Sequence, residues 1–291
     1  MKIIENRKKF FALSFLLILL GFASMVYHGG KGESILNWGV EFTGGTALKI
    51  DIGEAYAHDK LSEVIFNITG QKSAQIQDVI GTNEVAVKIQ SIDSATRTKL
   101  GEAIKAEFPL SDIKSSADVS GTVSSEMQMA AFKATLIACF AMLIYISIRF
   151  KDVRAGGSAI LALLHDVLIV IATYAVFRIP VDNSFIAVLL TILGYSINAT
   201  IVIFDRVREN RDKFKTHEIA EKINKSIGQT LARSINTSVT TFLTVGAIYV
   251  LGVQSIKEFA LPMMVGIIVG AYSSICISGP IWYILLPKKD K

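Results

Sequence analysis

The sequence contains little cysteine and no nucleotide-binding motif. Only two of its 291 residues are cysteines, Cys139 and Cys276, and both lie inside apolar runs, as buried small hydrophobic side chains do. They provide neither a disulfide framework nor a metal site. Gly44-Gly45 lacks the Gly-Lys-Ser/Thr ending of a phosphate loop, so an ATP-driven pump would need its nucleotide site on a partner. The sequence therefore predicts no cofactor, no metal ion and no enzymatic activity.

Charged side chains are also scarce, at 19% of the chain, whereas hydrophobic residues reach 51% and the mean hydropathy is +0.47. This balance is typical of a membrane protein. The net charge of +5 is unevenly distributed. Residues 29–128 hold 9 Lys/Arg against 14 Asp/Glu, and the remainder holds 21 against 11, mostly in short segments beside apolar runs. That distribution is the positive-inside pattern and argues against a nucleic-acid partner.

Six apolar runs are each long enough to cross a bilayer, which takes about 20 residues. The first follows a basic N-terminus, exceeds the roughly 7–15 apolar residues of a signal peptide and has no A-x-A cleavage site after it, so we expect an uncleaved span. An even number of spans and basic connecting segments predict that both termini are cytoplasmic. The predicted spans are Phe10–Tyr27, Met129–Ile148, Gly157–Phe177, Phe185–Phe204, Ile235–Leu251 and Phe259–Leu286, the last with a kink or early exit at Gly279-Pro280.

Residues 29–128 are polar and contain no bilayer-length apolar run. Their pattern predicts a β-α-β-β-α-β order, which favours a ferredoxin-like α+β domain on the extracytoplasmic side, between the first and second of six transmembrane helices. We therefore expect three parts: 1–28 with the first span, the domain 29–128, and a five-helix bundle 129–291 with a cytoplasmic amphipathic loop at 205–233. The elements expected in the domain are an extended segment Trp38–Ile52, a helix His58–Ile68, a hairpin Ala74–Val79 and Glu84–Ile89 with a turn at Gly81-Thr82-Asn83, a helix Ser94–Phe108 capped by Ser94, and a strand Ile113–Val119.

Polar residues at membrane depth are the candidate functional residues, because an unpaired polar group in hydrocarbon costs several kcal/mol. Thr191, Tyr195 and Asn198 share one helical stripe, which must face protein or water. His165-Asp166 lies about eight residues inside its predicted span, and two roles stay open for it, a proton relay or a structural link between helices. As sequence neighbours, these two side chains are not expected to share one helical face.

The fifth predicted span opens with Arg233 and carries a face of small hydroxyl residues, which suits close helix packing and interhelical hydrogen bonds. Arg233 either has an ionic role inside the bundle or reaches back to the cytoplasmic surface as an anchor. Before this span, residues 210–229 have the spacing of an amphipathic helix whose basic side chains favour anionic lipid. The hydroxyl face comprises Ser234, Thr237, Thr241 and Thr244.

Four ordered motifs resemble those of the SecF subunits of SecDF protein-export complexes, in the resistance-nodulation-division superfamily. The resemblance covers essentially the whole chain. Two positions depart from the family pattern, because Glu41 and Ala199 stand where the family usually has Asp. The motifs are Trp38-Gly39-Val40-Glu41-Phe42-Thr43-Gly44-Gly45-Thr46, then His165-Asp166, then Gly194-Tyr195-Ser196-Ile197-Asn198 with Phe204-Asp205-Arg206-Val207-Arg208-Glu209-Asn210, then Arg233-Ser234-Ile235-Asn236-Thr237-Ser238.

This resemblance implies an accessory subunit of the Sec translocase in the cell membrane of a prokaryote. Such a subunit pairs with SecD and uses the proton gradient, or in some relatives the sodium gradient, to help draw secreted polypeptides across. The SecYEG translocon and a YidC-type insertase would be further partners. Because Ala199 removes a carboxylate, the subunit would need its partner's acid to conduct protons. The residues implied are an ion relay or interhelical polar seam of Asn198, Arg233, Asp166, His165, Tyr195, Thr237 and Thr241, and an external motif of Glu41, Phe42, Thr43, Gly44 and Gly45.

Two other functions are weighed against protein export. The alternative is a small-molecule or ion exporter of the same superfamily, but residues 29–128 are a small external portion for enclosing a substrate. An intramembrane enzyme is the third possibility. For such an enzyme, the sequence offers no pair of a nucleophile and a base apart from His165-Asp166.

Overall fold

The computed structural model describes residues 2–31, 34–53, 57–71, 74–78, 83–119, 121–150, 152–214, 218–252 and 254–287. Its helices are α1 (Arg7–Gly30), α2 (Val40–Thr43), α3 (His58–Thr69), α4 (Ser94–Glu107), α5 (Gly121–Phe150), α6 (Val153–Phe177), α7 (Asn183–Glu209), α8 (Ile219–Leu251), α9 (Gln254–Ser273) and α10 (Gly279–Leu285). Its strands are β1 (Gly45–Asp51), β2 (Gln75–Asp78), β3 (Glu84–Ile89) and β4 (Asp112–Val119). A π turn, Ser274–Ser278, joins α9 to α10.

Six helical segments within these residues are long and apolar enough to cross a membrane, as the sequence predicts. They are α1, most of α5 (Ser125–Phe150), α6, α7, α8 and the continuous α9–α10 helix (Ile256–Leu285). The centre of the bundle is formed by α6, α7 and α9, which contact one another. Around them, α1 and α5 pack on α6, and α8 packs on α7 and α9. The outer helices keep many large apolar side chains exposed, as expected of a surface that faces lipid.

Small residues allow the membrane helices to approach closely. A Cβ atom added at Gly21 of α1 would collide with Ala172 of α6, and one added at Gly266 of α9 would collide with Ile192 of α7. One helical turn further along α9, a Cβ at Gly270 would lie 3.0 Å from the Cβ of Ser196. The Gly266-x-x-x-Gly270 motif therefore mediates a helix contact inside this chain.

A leucine at Gly21 should push α1 away from α6, because the new side chain has no space beside Ala172. Overpacking of this kind costs about 1–3 kcal/mol. We expect the purified Gly21→Leu variant to melt at a clearly lower temperature than the parent chain in the same detergent. The matched control is Gly30→Leu on the same helix, where nothing lies within 4 Å of the added Cβ. Equal melting temperatures for the two variants would contradict the close contact of α1 with α6.

The four strands form one sheet with the order β2-β3-β1-β4, and all neighbouring strands are antiparallel. With α3 and α4, the sheet has the β-α-β-β-α-β element order that the sequence predicts. Leu48, Ile50 and Val87 of the sheet are buried against Leu61 of α3 and Leu100 of α4. This second hydrophobic core is separate from that of the membrane bundle.

Two details of this domain differ from the sequence predictions. Trp38–Ile52 is not wholly extended: the N–H groups of Phe42 and Thr43 donate to the carbonyl of Gly39, which closes the turn of α2, and β1 begins only at Gly45. Asp93 rather than Ser94 caps α4, because its carboxylate accepts from the N–H of Thr96 at 3.1 Å. Hydrogen bonds from Thr96 hold the pKa of Asp93 below its ordinary value. The predicted turn at Gly81-Thr82 lies outside the described residues.

Two predicted spans also differ from the observed helices. The span expected at Ile235–Leu251 is only the second half of α8, which begins at Ile219 because Ile219, Ile223 and Ile227 bury one face of its first turns. The chain does not leave the bundle at Gly279-Pro280. Pro280 lies in the first turn of α10, directly after the π turn, where a missing N–H is tolerated.

The segment that leads into the sheet is attached to the loop between α6 and α7. Trp38 forms a parallel bridge with Val181: the N–H of Gly39 donates to the Val181 carbonyl at 2.9 Å, and the N–H of Val181 donates to Asn37 at 2.8 Å. Phe42 of α2 is buried in a cluster that includes Tyr174 of α6. The sheet domain is thus anchored to one end of the membrane bundle.

Candidate functional site

The most buried ionisable group in the bundle is Asp166, near the middle of α6. Its side chain is fully buried, and one carboxylate oxygen lies 2.9 Å from Nδ1 of His165. The expectation that these neighbours do not share a helical face is therefore wrong, because the imidazole bends across to its neighbour's carboxylate. Asp166 also lies deeper than expected, since α6 begins at Val153 rather than at Gly157.

The other oxygen of Asp166 accepts hydrogen bonds from two serines on neighbouring helices. The hydroxyl of Ser196 on α7 donates at 2.6 Å, and that of Ser273 on α9 donates at 2.8 Å. One buried carboxylate therefore joins the three central helices. Both serines are almost completely buried, and the bonds supply polar partners that hydrocarbon cannot.

A chain of hydroxyl groups leads from His165 towards α1. His165 Nε2 lies 2.9 Å from the hydroxyl of Ser14, which lies 3.4 Å from the hydroxyl of Tyr272; that group donates to the Phe10 carbonyl at 2.8 Å. The Ser14 hydroxyl can donate to one of these two groups and accept from the other, because a hydroxyl has one proton and two lone pairs. The buried pair is therefore linked to α1 as well as to α7 and α9.

A second polar region faces outward. Asn198 on α7 and Arg233 on α8 are exposed, as are Thr191 and Thr237; these four residues are called the outer polar face. Among the described residues, neither the Asn198 amide nor the Arg233 guanidinium has a hydrogen-bond or ion-pair partner. Tyr195 joins the two helices, since its hydroxyl donates to Ser238 at 3.3 Å. Asn198 follows this contact along α7 and Arg233 precedes it along the antiparallel α8, so the two residues lie on the same side of the contact and at similar depth.

Four of the five threonines of α8 donate their hydroxyl groups to carbonyls of the same helix, and Thr237 has no such bond within the described residues. Thr241 donates to the carbonyl of Thr237 at 3.0 Å, and Thr244 donates to that of Thr240 at 2.9 Å. Such bonds within one helix remove the cost of placing a hydroxyl against lipid. The amide of Asn198 and the guanidinium of Arg233 form no such hydrogen bond among the described residues, so these two groups give the outer polar face its polar character.

The external motif lies where the chain enters the sheet. Phe42 is only 4% exposed, and the hydroxyl of Thr43 donates to the carbonyl of Gly39 at 3.1 Å. Gly44 and Gly45 have φ values of 74° and 155°, which glycine adopts far more readily than other residues. The motif thus builds the bend between α2 and β1. The side chain of Glu41 lies outside the described residues.

The sequence-based candidates therefore fall into separate places. His165 and Asp166 lie in the buried network; Asn198, Arg233 and Thr237 lie on the outer face, with Tyr195 and Thr241 half-buried near it. Sequence reasoning did not single out Ser14, Ser196 or Ser273 as partners of the His-Asp pair. Their one available signal was that each is a hydroxyl residue inside a bilayer-length apolar run.

These features define a multi-pass membrane protein with an ionisable pair buried in its centre, a polar face on its outside and an α/β domain at one end. Residues 99–288 match the family described as protein export membrane protein SecD/SecF, C-terminal. The chain is 34% identical to the protein translocase subunit SecF of Sebaldella termitidis, over 100% of this chain and 95% of that protein. It is 36% identical to the SecF of Petrotoga mobilis, over 99% and 97%.

A solved structure agrees with these matches. The crystal structure of SecDF from Thermus thermophilus, described as a translocon-associated membrane protein, superposes with a TM-score of 0.81 and 32% identity over 98% of this chain. The chain spans 38% of the length of that SecDF chain. The chain belongs to the SecF family. As a SecF subunit it is an accessory component of the Sec translocase and takes part in protein export.

Proposed function

We propose that this chain works with SecD to promote the export of secreted polypeptides at the expense of the proton or sodium gradient. The observation that carries the proposal is the outer polar face, where Asn198 and Arg233 are exposed at membrane depth without a partner among the described residues. An unpaired arginine or amide facing lipid is costly. A polar surface on another membrane subunit, for which SecD is the natural candidate, would remove that cost.

The ion path would then cross the interface between the two subunits. Ala199, beside Asn198, supplies no carboxylate, so the acid has to come from SecD, opposite Asn198 and Arg233. Arg233 would keep that acid ionised until a proton arrives, because a cation within about 4–6 Å favours a charged carboxyl. Transporter sites built where two related halves meet have this arrangement.

The buried His165-Asp166 pair supplies a second relay element inside the subunit. Its hydrogen bonds reach three helices besides its own, so a change in its protonation state is felt by α1, α7 and α9 together. A proton bound here would alter how the central helices pack. The binding and release of this proton would couple the ion gradient to the packing of the membrane helices.

The remaining proposals concern the orientation of the chain in the membrane and its division into domains. The basic segments at Arg149–Arg154 and Arg206–Lys213 favour an orientation in which these ends of the helices, and both termini, would lie on the cytoplasmic side of the cell membrane. Residues 29–128 would form an extracytoplasmic ferredoxin-like domain, in keeping with the β2-β3-β1-β4 order, and 129–291 the five-helix bundle. In that position the domain would meet polypeptides that emerge from SecYEG, with a YidC-type insertase as a further neighbour.

A photo-reactive amino acid at position 198 should form a cross-link to SecD in membranes that contain the complete translocase. The same group at Phe22 is the matched control, because Phe22 is 62% exposed on α1, which contacts α6 and the π turn instead. Equal cross-linking from both positions would contradict the proposed interface. Capture of a periplasmic adaptor protein at position 198 would favour the exporter alternative.

A further inference from the structure

A cavity of about 810 Å³ opens where α5 ends and α6 begins, at the end of the bundle that carries the basic segments. It is bounded by the C-terminal end of α7, the start of α8 and α10. Asp152 is the one acid in its lining among the described residues. Five cationic side chains line it, and we call it the basic groove after them: Arg149, Arg154, Arg208, Arg211 and Lys222.

Two acids at the groove, Asp152 and Asp205, are already engaged by other groups. Asp152 accepts from the indole N–H of Trp282 at 3.0 Å and from the N–H of Arg154 at 2.9 Å. Asp205 lies 2.8 Å from the guanidinium of Arg149 and 3.5 Å from that of Arg208. The carboxylates on one side of the groove therefore already have hydrogen-bond donors or cations as partners.

Three cations of the groove have no counter-ion among the residues that the structure describes. Within the described part of the chain, Arg154, Arg211 and Lys222 take part in no ion pair. Arg211 and Lys222 also lie close enough for their like charges to repel each other. Cations that converge on one cavity in this way require an anion, and arginine binds phosphate oxygens through two parallel hydrogen bonds.

The floor of the groove is aromatic. The rings of Phe150 and Phe204 are 5.8 Å apart edge to face, and those of Phe204 and Trp282 are 5.3 Å apart. Val153, which also lines the groove, is 72% exposed at the start of a membrane helix. The surface therefore changes from cationic at the rim to apolar at the floor.

We infer that the basic groove binds the headgroup of an anionic phospholipid, with the phosphate against Arg211 and Lys222 and the glycerol end over Phe150 and Trp282. Basic pockets between membrane helices bind such headgroups. A free phosphate would leave the aromatic floor uncovered, and a zwitterionic lipid would bring a further cation to the rim. The inference requires that the six helices cross a membrane and does not depend on the proposed use of an ion gradient.

Trp282 provides a local reporter, because Trp38 and Trp282 are the only tryptophans. We would place the full-length Trp38→Phe chain in phosphatidylcholine nanodiscs and add phospholipids brominated high on their acyl chains. Brominated phosphatidylglycerol should quench Trp282 at a several-fold lower mole fraction than brominated phosphatidylcholine. Equal quenching by the two lipids would overturn the inference. So would the recovery of fluorescence on adding inorganic phosphate, which would show a free-anion site.

Substitution of the unpaired cations tests the groove itself. Each basic residue near a bilayer contributes about fivefold to the binding of anionic lipid, so Arg211→Gln with Lys222→Gln should abolish the preference for phosphatidylglycerol. The matched control is Lys213→Gln with Lys225→Gln, which removes two exposed charges from the same segments outside the groove. Arg154→Gln alone should lose about fivefold. A preference retained by all three variants would show bulk attraction of lipid and refute the site.

Discussion

Replacing Arg233 with leucine should abolish the stimulation of export by the ion gradient and leave the chain folded. Arg233 is exposed and has no partner within the described residues, so its removal breaks no contact inside the subunit. Surface substitutions of this kind change stability by less than about 0.5 kcal/mol. The cation that keeps a partner's carboxyl charged would be absent, and the relay would stop. The measurement is translocation of a secreted protein into inverted vesicles, with and without a gradient.

Two variants serve as controls for the arginine. Lys225→Leu removes a cation from the same helix nearer its N-terminal end, and we expect full stimulation by the gradient. Ala199→Asp should also be tolerated, since it adds a carboxylate beside Asn198 at the proposed interface with SecD. Gradient-driven proton flux in vesicles that contain this subunit alone would contradict a path completed by SecD, whatever the effect of Arg233→Leu on export.

Replacing Asp166 with leucine should destabilise the bundle strongly. The change removes the shared acceptor of Ser196, Ser273 and His165, and the two serine hydroxyls are almost wholly buried. Each buried donor that loses its acceptor costs about 1–3 kcal/mol. We expect a large fall in the melting temperature of the purified chain in detergent. Asp205→Leu, at the edge of the membrane with a partly exposed side chain, should have a much smaller effect.

Asp166→Asn separates a relay from a purely structural link. The amide oxygen can still accept from Ser196 and Ser273, so most of the stability should remain, with a loss of about 1 kcal/mol. The amide cannot exchange a proton in the working range of pH. We therefore expect a stable Asp166→Asn complex with little stimulation by the gradient. Normal stimulation in this variant would leave only the structural role for His165-Asp166.

The spans and the sheet elements could be predicted because their signals are local. Hydropathy over about 20 residues marks each membrane helix, and the period-2 and 3.6 patterns mark the strands and helices between them. The predictions were wrong where one local sequence pattern is compatible with two different structures. The first half of α8 is polar on one face, so it was predicted as a separate amphipathic helix rather than as the start of one helix that begins at Ile219. The Gly39–Thr43 stretch closes a helical turn instead of continuing as strand.

The buried site was only half predictable. His165-Asp166 attracts notice because charge is rare in a span, whereas Ser196 and Ser273 are ordinary residues of a membrane helix. Their importance depends on α7 and α9 meeting α6 at one depth, where Gly270 lets Ser196 approach. Contacts between residues 30 or more positions apart leave no trace in a single sequence. The outer polar face was predicted as a polar stripe, but which side of α7 it occupies depends on the packing of three helices.

The π turn at Ser274–Ser278 limits how the length of the last membrane helix can change. A π turn holds one residue more than an α turn, so deleting one residue here would leave an unbroken α-helix. The wider turn absorbs the extra residue, so α10 keeps about the rotation that it would have after an α turn one residue shorter. Ser273 would stay beside Asp166, and Trp282 would stay beside Asp152 and the basic groove. A second deletion would have no π turn left to relieve, and it would rotate Trp282 by about 100° away from the groove.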